Sequence, residues 1–296
     1  METRNPYRKE HGARPQRRAA KWGKAIAFLV IAGGLVYLFA ATAAGKWLSD
    51  NVFKPGLNAL SCAGSSTETT APSEEATAAE GKSEQIKQQG FIYYCIQTGA
   101  FSHEENANAE AQSVKLKGGA GYIFYDGMYR VLIAFYGSSD DAKTVREQLK
   151  TEQGMDTMIY QMKADDLSFK ITAKDDQIAA LKDAFAAYFA AHEAAVAANS
   201  DSDTGGAITQ ATQTKLDDAA GALDKAKAAL VQSWEGNHEN KVYTAMIQLI
   251  DAVRAEIGSL ALMESASDVQ EKSAVKYSCL SIAGEYVKFI KEINGI

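Results

Sequence analysis

One stretch of the chain, residues 25–45, contains no charged side chain in 21 consecutive positions. As an α-helix it extends roughly 30 Å, which is enough to cross the hydrocarbon core of a bilayer. Lys24 and Lys46 flank the stretch, and Trp22 and Trp47 supply the aromatic side chains typical of membrane interfaces. The sequence therefore predicts a transmembrane helix over residues 25–45.

The residues that precede this helix are strongly basic. Residues 1–24 carry eight Lys or Arg side chains and two Glu, a net charge of +6, whereas the other 272 residues sum to −12. The positive-inside rule places this basic tail in the cytoplasm and predicts a single-pass protein of the cell membrane whose C-terminal domains are extracytoplasmic. The alternative is a cleavable signal peptide, because Ala41-Thr42-Ala43 resembles a cleavage site. The apolar run and its leader are both long for that role.

The segment that follows is polar. Residues 61–89 consist mainly of Ser, Thr, Ala, Glu, Gly, Lys and Gln, with no large apolar side chain before Ile86. Such a composition buries too little surface to offset the chain entropy that is lost on folding. Residues 46–89 are therefore predicted to be a juxtamembrane segment and a flexible linker.

A pattern of alternating apolar and aromatic residues begins after this linker. It predicts a strand at 91–97, a helix to about 117, strands at 122–125 and 129–136, a second helix from 139 and a last strand at 157–162. Asp126-Gly127 is a favoured hairpin turn. The fold class is α+β: the β-α-β-β-α-β order predicts a four-stranded antiparallel sheet over residues 90–165, with two helices on one face and the other face open.

Period-two alternation assigns the strand residues to faces. One face is predicted to carry Ile92, Tyr94, Ile96, Val131, Ile133 and Phe135, and the opposite face Tyr93, Cys95, Gln97, Arg130 and Leu132. If the first set packs against the helices, Gln97 and Arg130 emerge on the open face.

Two spaced motifs in this region resemble a known family. Tyr94-Cys95-Ile96-Gln97-Thr98-Gly99-Ala100-Phe101-Ser102, with Ala107 and Leu116, is similar to the first half of a SPOR (sporulation-related repeat) domain, and Asp126-Gly127-Met128-Tyr129-Arg130-Val131, with Ala142, to its second half. The sequence departs from the family at Ala134-Phe135, where Gly-Pro is usual. The resemblance covers a quarter of the chain. It implies binding to peptidoglycan, mainly to glycan strands without peptide stems, and localisation to division or sporulation septa.

The resemblance assigns glycan binding to Gln97 and Arg130. Gln97 donates and accepts hydrogen bonds, which suits sugar hydroxyl and acetamido groups. Arg130 is able to pair with the lactyl carboxylate of a stem-free muramic acid. Tyr93 is a third candidate, as a ring that stacks on a sugar. For each of the three, the alternative is an exposed polar or aromatic residue on a half-solvated sheet.

The same order of elements occurs in the RRM RNA-binding module, so the fold alone does not determine the function. Residues 129–136 lack the Gly-aromatic pattern of that module, and residues 90–163 carry seven basic and nine acidic side chains. Nucleic acid is therefore not expected as a partner, because phosphate binding needs a basic surface.

Residues 173–296 are predicted to form an antiparallel four-helix bundle. Apolar residues recur at helical spacing in four runs that are separated by short breaks. His192 lies on the apolar stripe of the first run and is expected to be a core or boundary histidine rather than a ligand. Cys95 and Cys279 either form a disulfide or remain two separately buried thiols.

The chain contains no HExxH, GxSxG or P-loop motif, and its three cysteines form no CxxC pair. We therefore expect no enzyme activity, no cofactor and no metal site; a cell-wall hydrolase would need a clustered acid, base or metal. Two functions remain. The first is a membrane-anchored peptidoglycan-binding protein, and the second is an envelope scaffold whose bundle, residues 173–296, binds a protein partner while the sheet is structural.

Overall fold

The computed structural model describes residues 81–204, 208–235, 239–263 and 268–295, all of which belong to one compact unit. In chain order they form β1 (Lys82–Gln88), β2 (Phe91–Phe101), α1 (Glu104–Leu116), β3 (Tyr122–Tyr125), β4 (Tyr129–Tyr136), α2 (Ser139–Gln153), β5 (Met158–Ala164), β6 (Leu167–Ala173), α3 (Asp175–Thr204), α4 (Gln210–Ser233), α5 (Lys241–Ala261) and α6 (Val269–Asn294). The predicted basic tail, the predicted transmembrane helix and most of the predicted linker lie outside these residues. None of the helices in the described ranges is long and apolar enough to cross a membrane.

The central sheet confirms the predicted α+β order. Its strands lie in the order β3-β4-β2-β5, and all neighbours are antiparallel. Helices α1 and α2 pack on one face, where Ala107 and Ala142 are buried against Ile96 and Val131. These small side chains let the two helices approach the sheet closely.

A pair of strands outside this sheet was not predicted. β1 and β6 pair antiparallel in the same register that joins β2 to β5, so this β1–β6 ribbon continues the β2–β5 pair beyond the unpaired residues Gln89 and Gly90. A Cβ atom at position 90 would lie 2.1 Å from the carbonyl oxygen of Ala164, so only glycine fits this close approach of the two backbones. The prediction of a flexible linker over residues 46–89 is therefore wrong for residues 82–88.

Four helices make up the remainder of the described chain. α3 contacts α4, α5 and α6, while α4 contacts α5 and α5 contacts α6. Helices that follow one another in sequence are thus neighbours in space, as in an antiparallel bundle. Seven alanines of α3 are buried, which lets the other helices pack close to it.

The bundle covers the sheet face that was predicted to be open. α6 contacts β3, β4 and β5, and Tyr122 and Leu132 belong to the same hydrophobic core as the helices. At the closest approach, a Cβ atom added to Gly284 of α6 would lie 2.2 Å from the Tyr122 hydroxyl oxygen. The predictions of an open face and of separate folded units at 90–165 and 173–296 are therefore wrong, since the sheet and the bundle share one core.

An irregularity in β4 changes one assignment of residues to faces. The register of β2 against β4 skips Ile133, and beyond this β-bulge the alternation is shifted by one residue. Phe135 consequently faces the bundle, with its ring centroid 4.8 Å from that of Tyr93. The prediction that Phe135 shares a face with Val131 is wrong for this reason.

Candidate functional site

Four polar side chains form a connected cluster at one end of the bundle-facing side of the sheet. Nε of Arg130 donates to both carboxylate oxygens of Asp126, at 2.9 Å each, and Nη1 donates to Oε1 of Gln97 at 3.1 Å. The Tyr160 hydroxyl donates to Oδ2 of Asp126 at 2.9 Å, and the guanidinium lies over the Tyr160 ring, 4.6 Å from its centroid. We call these four residues the Arg130 cluster; it joins strands β2, β4 and β5 and the β3–β4 turn.

The turn between β3 and β4 places Asp126 beside Arg130. Gly127 has a φ of +107°, a conformation that glycine adopts without steric cost. The backbone N–H of Met128 donates to Oδ1 of Asp126 at 3.4 Å. The tight reversal that was predicted from Asp126-Gly127 is confirmed by the pairing of β3 with β4. It holds the Asp126 carboxylate next to the start of β4.

The cluster combines two opposite charges with a neutral phenol. Burial raises the pKa of Asp126, but the hydrogen bonds from Arg130 and Tyr160 and the charge of Arg130 outweigh it and hold that pKa below its usual range. The side chains of Arg130 and Asp126 are 25% and 19% exposed, so the ion pair remains accessible to solvent. Burial, together with the hydrogen bond to Asp126 and its negative charge, raises the pKa of Tyr160 to about 12. Tyr160 is therefore a neutral hydrogen-bond donor at neutral pH.

Comparison with known protein families finds one that is similar to this part of the chain. Residues 84–161 match the SPOR domain family. This part of the chain is similar to a SPOR domain, and we call residues 84–161 the SPOR domain. The match begins within β1 and ends within β5, so it includes the whole Arg130 cluster and excludes the bundle. SPOR domains are peptidoglycan-binding domains and are not catalytic. Neither the curated proteins nor the solved structures gave a significant match to the chain.

Within the SPOR domain, Gln97 lies beneath Arg130 and is only 5% exposed. Its side-chain oxygen accepts a hydrogen bond from Arg130, so its role in this position is to orient the guanidinium. The structure brings Gln97 and Arg130 together on one face, as the alternation predicted. The burial of Gln97 does not suit the direct sugar contact that was predicted for it.

Tyr93 lies outside the Arg130 cluster, between the SPOR sheet and the bundle. Its hydroxyl and Nε2 of His192 on α3 lie 2.9 Å apart in a hydrogen bond, and its ring packs against Phe91 and Phe135. The predicted stacking of Tyr93 on a sugar needs an open face, and the bundle occupies that face.

The buried titratable groups at the junction with the bundle serve packing. Burial lowers the pKa of His192 to about 4, which keeps the imidazole neutral, and this agrees with the core histidine predicted there. Cys95 and Cys279 are buried and free, so of the two alternatives the structure shows separate thiols. Across the described ranges, no group of three or more His, Cys, Asp or Glu side chains is arranged to hold a metal ion.

Two members of the Arg130 cluster, Asp126 and Tyr160, were not predicted as site residues. The hairpin signal accounted for Asp126 as a turn residue, and Tyr160 fitted the alternation of an ordinary strand. The two residues are 34 positions apart, and only the strand order β4-β2-β5 brings them together. The available signal was a polar residue on an otherwise apolar face, which identified Gln97 and Arg130 alone.

Proposed function

We propose that this protein is a membrane-anchored peptidoglycan-binding protein that recognises stem-free glycan strands and thereby localises to sites of cell-wall remodelling, such as division or sporulation septa. The observation that carries the proposal is the Arg130 cluster, an accessible set of hydrogen-bonding groups within a domain of a peptidoglycan-binding family. In this proposal residues 25–45 are the membrane anchor, and they hold the SPOR domain outside the cytoplasm.

The chemistry of the Arg130 cluster suits a glycan. Nη2 of Arg130 makes no hydrogen bond to the described residues, whereas Nε and Nη1 are both engaged. Nη2 is therefore available to a ligand oxygen, whereas both oxygens of the Asp126 carboxylate already accept two hydrogen bonds each. Because Asp126 balances the charge of Arg130, the cluster suits neutral hydroxyl and acetamido groups as well as a muramic acid carboxylate.

Sugar contacts of this kind are individually weak, since a typical hydrogen bond contributes only about 1 kcal/mol net. Anchoring in the membrane compensates for this, because it confines the binding domain near the wall and raises its effective concentration there. The proposed mechanism is therefore localisation rather than catalysis.

The test is retention of the purified full-length protein, in mild detergent, by intact and by amidase-treated peptidoglycan sacculi. We expect retention to rise after amidase treatment and the Arg130→Ala variant to lose about tenfold or more in affinity, equivalent to about 1.4 kcal/mol. The matched control is Arg146→Ala, whose guanidinium pairs with Glu147 on the surface of α2. Undiminished binding by Arg130→Ala contradicts the assignment of the site.

One observation favours a second function, in which the protein is an envelope scaffold. The bundle covers much of the sheet face of the SPOR domain, as a structural role for the sheet requires. In that case helices α3–α6 bind a protein partner. A fluorescent fusion of the Arg130→Ala variant then keeps its position in cells, and the purified protein binds neither preparation of sacculi.

A further inference from the structure

Helix α6 divides the sheet face of the SPOR domain into a covered part and an exposed part. In the covered part, the ring of Phe91 stacks on Tyr286 of α6 at 5.8 Å, and Cys95 and Leu132 are fully buried. The exposed part carries Arg130, Asp126 and Tyr160 of the Arg130 cluster, whereas Gln97 is buried. Met158, which precedes Tyr160 by two residues and therefore shares its face, is 67% exposed.

The end of α6 marks the border between the two parts. Nζ of Lys291, in the last turn of the helix, lies 5.5 Å from the centroid of the Phe124 ring. Phe124 is paired directly with Arg130 in the β3–β4 ladder. The helix end therefore stands next to the Arg130 cluster, and it blocks a ligand from continuing along the strands toward Phe91.

Helix α6, which covers this part of the sheet, is packed into the hydrophobic core. Gly284 of α6 packs so closely on Tyr122 that it leaves no room for a Cβ atom. The apolar side chains beneath α6 belong to one hydrophobic cluster that includes all four helices of the bundle. Moving α6 aside would expose this core to water, which is unfavourable in proportion to the apolar area uncovered.

We infer that this SPOR domain recognises a short glycan segment, of one or two sugar units, rather than a long stretch of strand laid along the sheet. The inference rests on the proposed glycan-binding function and specifies its ligand. The accessible groups reach from Arg130 on β4, across β2, to Tyr160 on β5. Two strand spacings of about 4.8 Å give a width of about 10 Å, roughly two sugar rings. Further sugars of the same strand extend beyond this width and add no contacts with the described residues.

The experiment is a titration of the full-length protein with stem-free glycan oligosaccharides of two, four and eight sugars. Dissociation constants are expressed per disaccharide unit, so that the greater number of binding positions on a longer ligand does not count as affinity. We expect the three values to agree within about threefold, and Arg130→Ala to weaken all three alike. A per-disaccharide affinity that increases by more than about threefold from two to eight sugars overturns the inference, because it shows that additional sugars contact the protein.

Failure of the inference and failure of the proposed function are distinguished by the sacculi. If amidase-treated sacculi retain the protein but the disaccharide and tetrasaccharide do not bind, the proposed glycan binding stands. The inference that one or two sugar units are sufficient for recognition is then wrong. If neither the oligosaccharides nor the sacculi bind, the proposed function itself fails, and the inference fails with it.

Discussion

The hydroxyl of Tyr93 on β2 and Nε2 of His192 on α3 lie 2.9 Å apart and join the SPOR sheet to the helical bundle by a hydrogen bond. The rings of Phe91 and Tyr188 stack near the imidazole, with centroids 5.7 and 6.1 Å from it. The bond therefore lies in an aromatic environment, where a polar group that loses its partner is not compensated by water.

Removing the Tyr93 hydroxyl is expected to destabilise the protein. The Tyr93→Phe variant leaves Nε2 of His192 buried without its partner, and we expect the free energy of unfolding in urea to fall by about 1–3 kcal/mol. The control is Tyr125→Phe at a tyrosine that is 56% exposed, where a change of less than about 0.5 kcal/mol is expected. Equal losses for the two variants would show that the Tyr93–His192 bond does not stabilise the junction.

The same histidine predicts that stability depends on pH. Burial lowers the pKa of His192 to about 4 in the folded protein, from an ordinary value of 6.5. Above pH 6.5 the imidazole is neutral in both states and its contribution is complete. Between pH 6.5 and 4 only the unfolded chain binds the proton, so the free energy of unfolding decreases as the pH falls, by about 3 kcal/mol in total.

The measurement for this pH dependence is the difference between two variants, because carboxylates also titrate in this range. We expect His192→Gln to lack this part of the decrease in stability between pH 6.5 and 4. His103→Gln, at an exposed position before α1, should retain it. Identical pH profiles for the two variants would contradict a neutral, buried His192.

Removing the charge of Asp126 tests whether this residue positions Arg130. An asparagine cannot give Arg130 and Tyr160 the same charge-assisted acceptors, so we expect Asp126→Asn to lose about 1–2 kcal/mol of stability. Because the guanidinium then loses its orientation, retention by amidase-treated sacculi should weaken severalfold. The control Asp140→Asn changes a carboxylate that is 90% exposed and pairs with Lys143 on the surface, and both measurements should stay at the wild-type values. If Asp126→Asn also shows wild-type values, Arg130 does not depend on Asp126.

The close approach of α6 to the sheet is tested with two helical glycines. A methyl group at position 284 meets the Tyr122 hydroxyl oxygen at 2.2 Å, so we expect Gly284→Ala to lower the free energy of unfolding by about 1–3 kcal/mol. At Gly221 of α4 an added Cβ atom meets nothing within 4 Å, and Gly221→Ala should raise stability by up to about 1 kcal/mol through helix propensity.

A double variant checks that contact with Tyr122 is the cause. Replacing Tyr122 by Phe in the Gly284→Ala background removes the atom nearest to the added methyl group. We expect it to restore part of the lost stability, which appears as a coupling energy in a double-mutant cycle. Strictly additive effects would place the cost of Gly284→Ala elsewhere.

Local signals in the sequence predicted the elements of the SPOR sheet well. The hairpin of β3 and β4 was predicted with the bounds that the structure shows, because a strong turn signal separates two clear alternations. The β1–β6 ribbon was missed because β1 buries a single large apolar side chain, Ile86. Its partner strand lies far away in sequence, so no local pattern indicates the pairing.

The packing of the helical bundle on the sheet could not be predicted from the sequence in the same way. Alternation assigns residues to a face but does not say what packs on that face. A signal was nevertheless present, since Cys95 and Leu132 are apolar residues on the face that was predicted to be open. For the site, alternation placed Gln97 and Arg130 together, whereas the contribution of Tyr160 depends on which strands are neighbours in the sheet.

The chain enters the central sheet at the end of β2 that is remote from the Arg130 cluster. The chain arrives along β1 and enters the sheet at Phe91, whereas Arg130 is paired with Ala100 near the opposite end of β2. The length of β2 therefore separates the Arg130 cluster from the end of the sheet at which the chain enters.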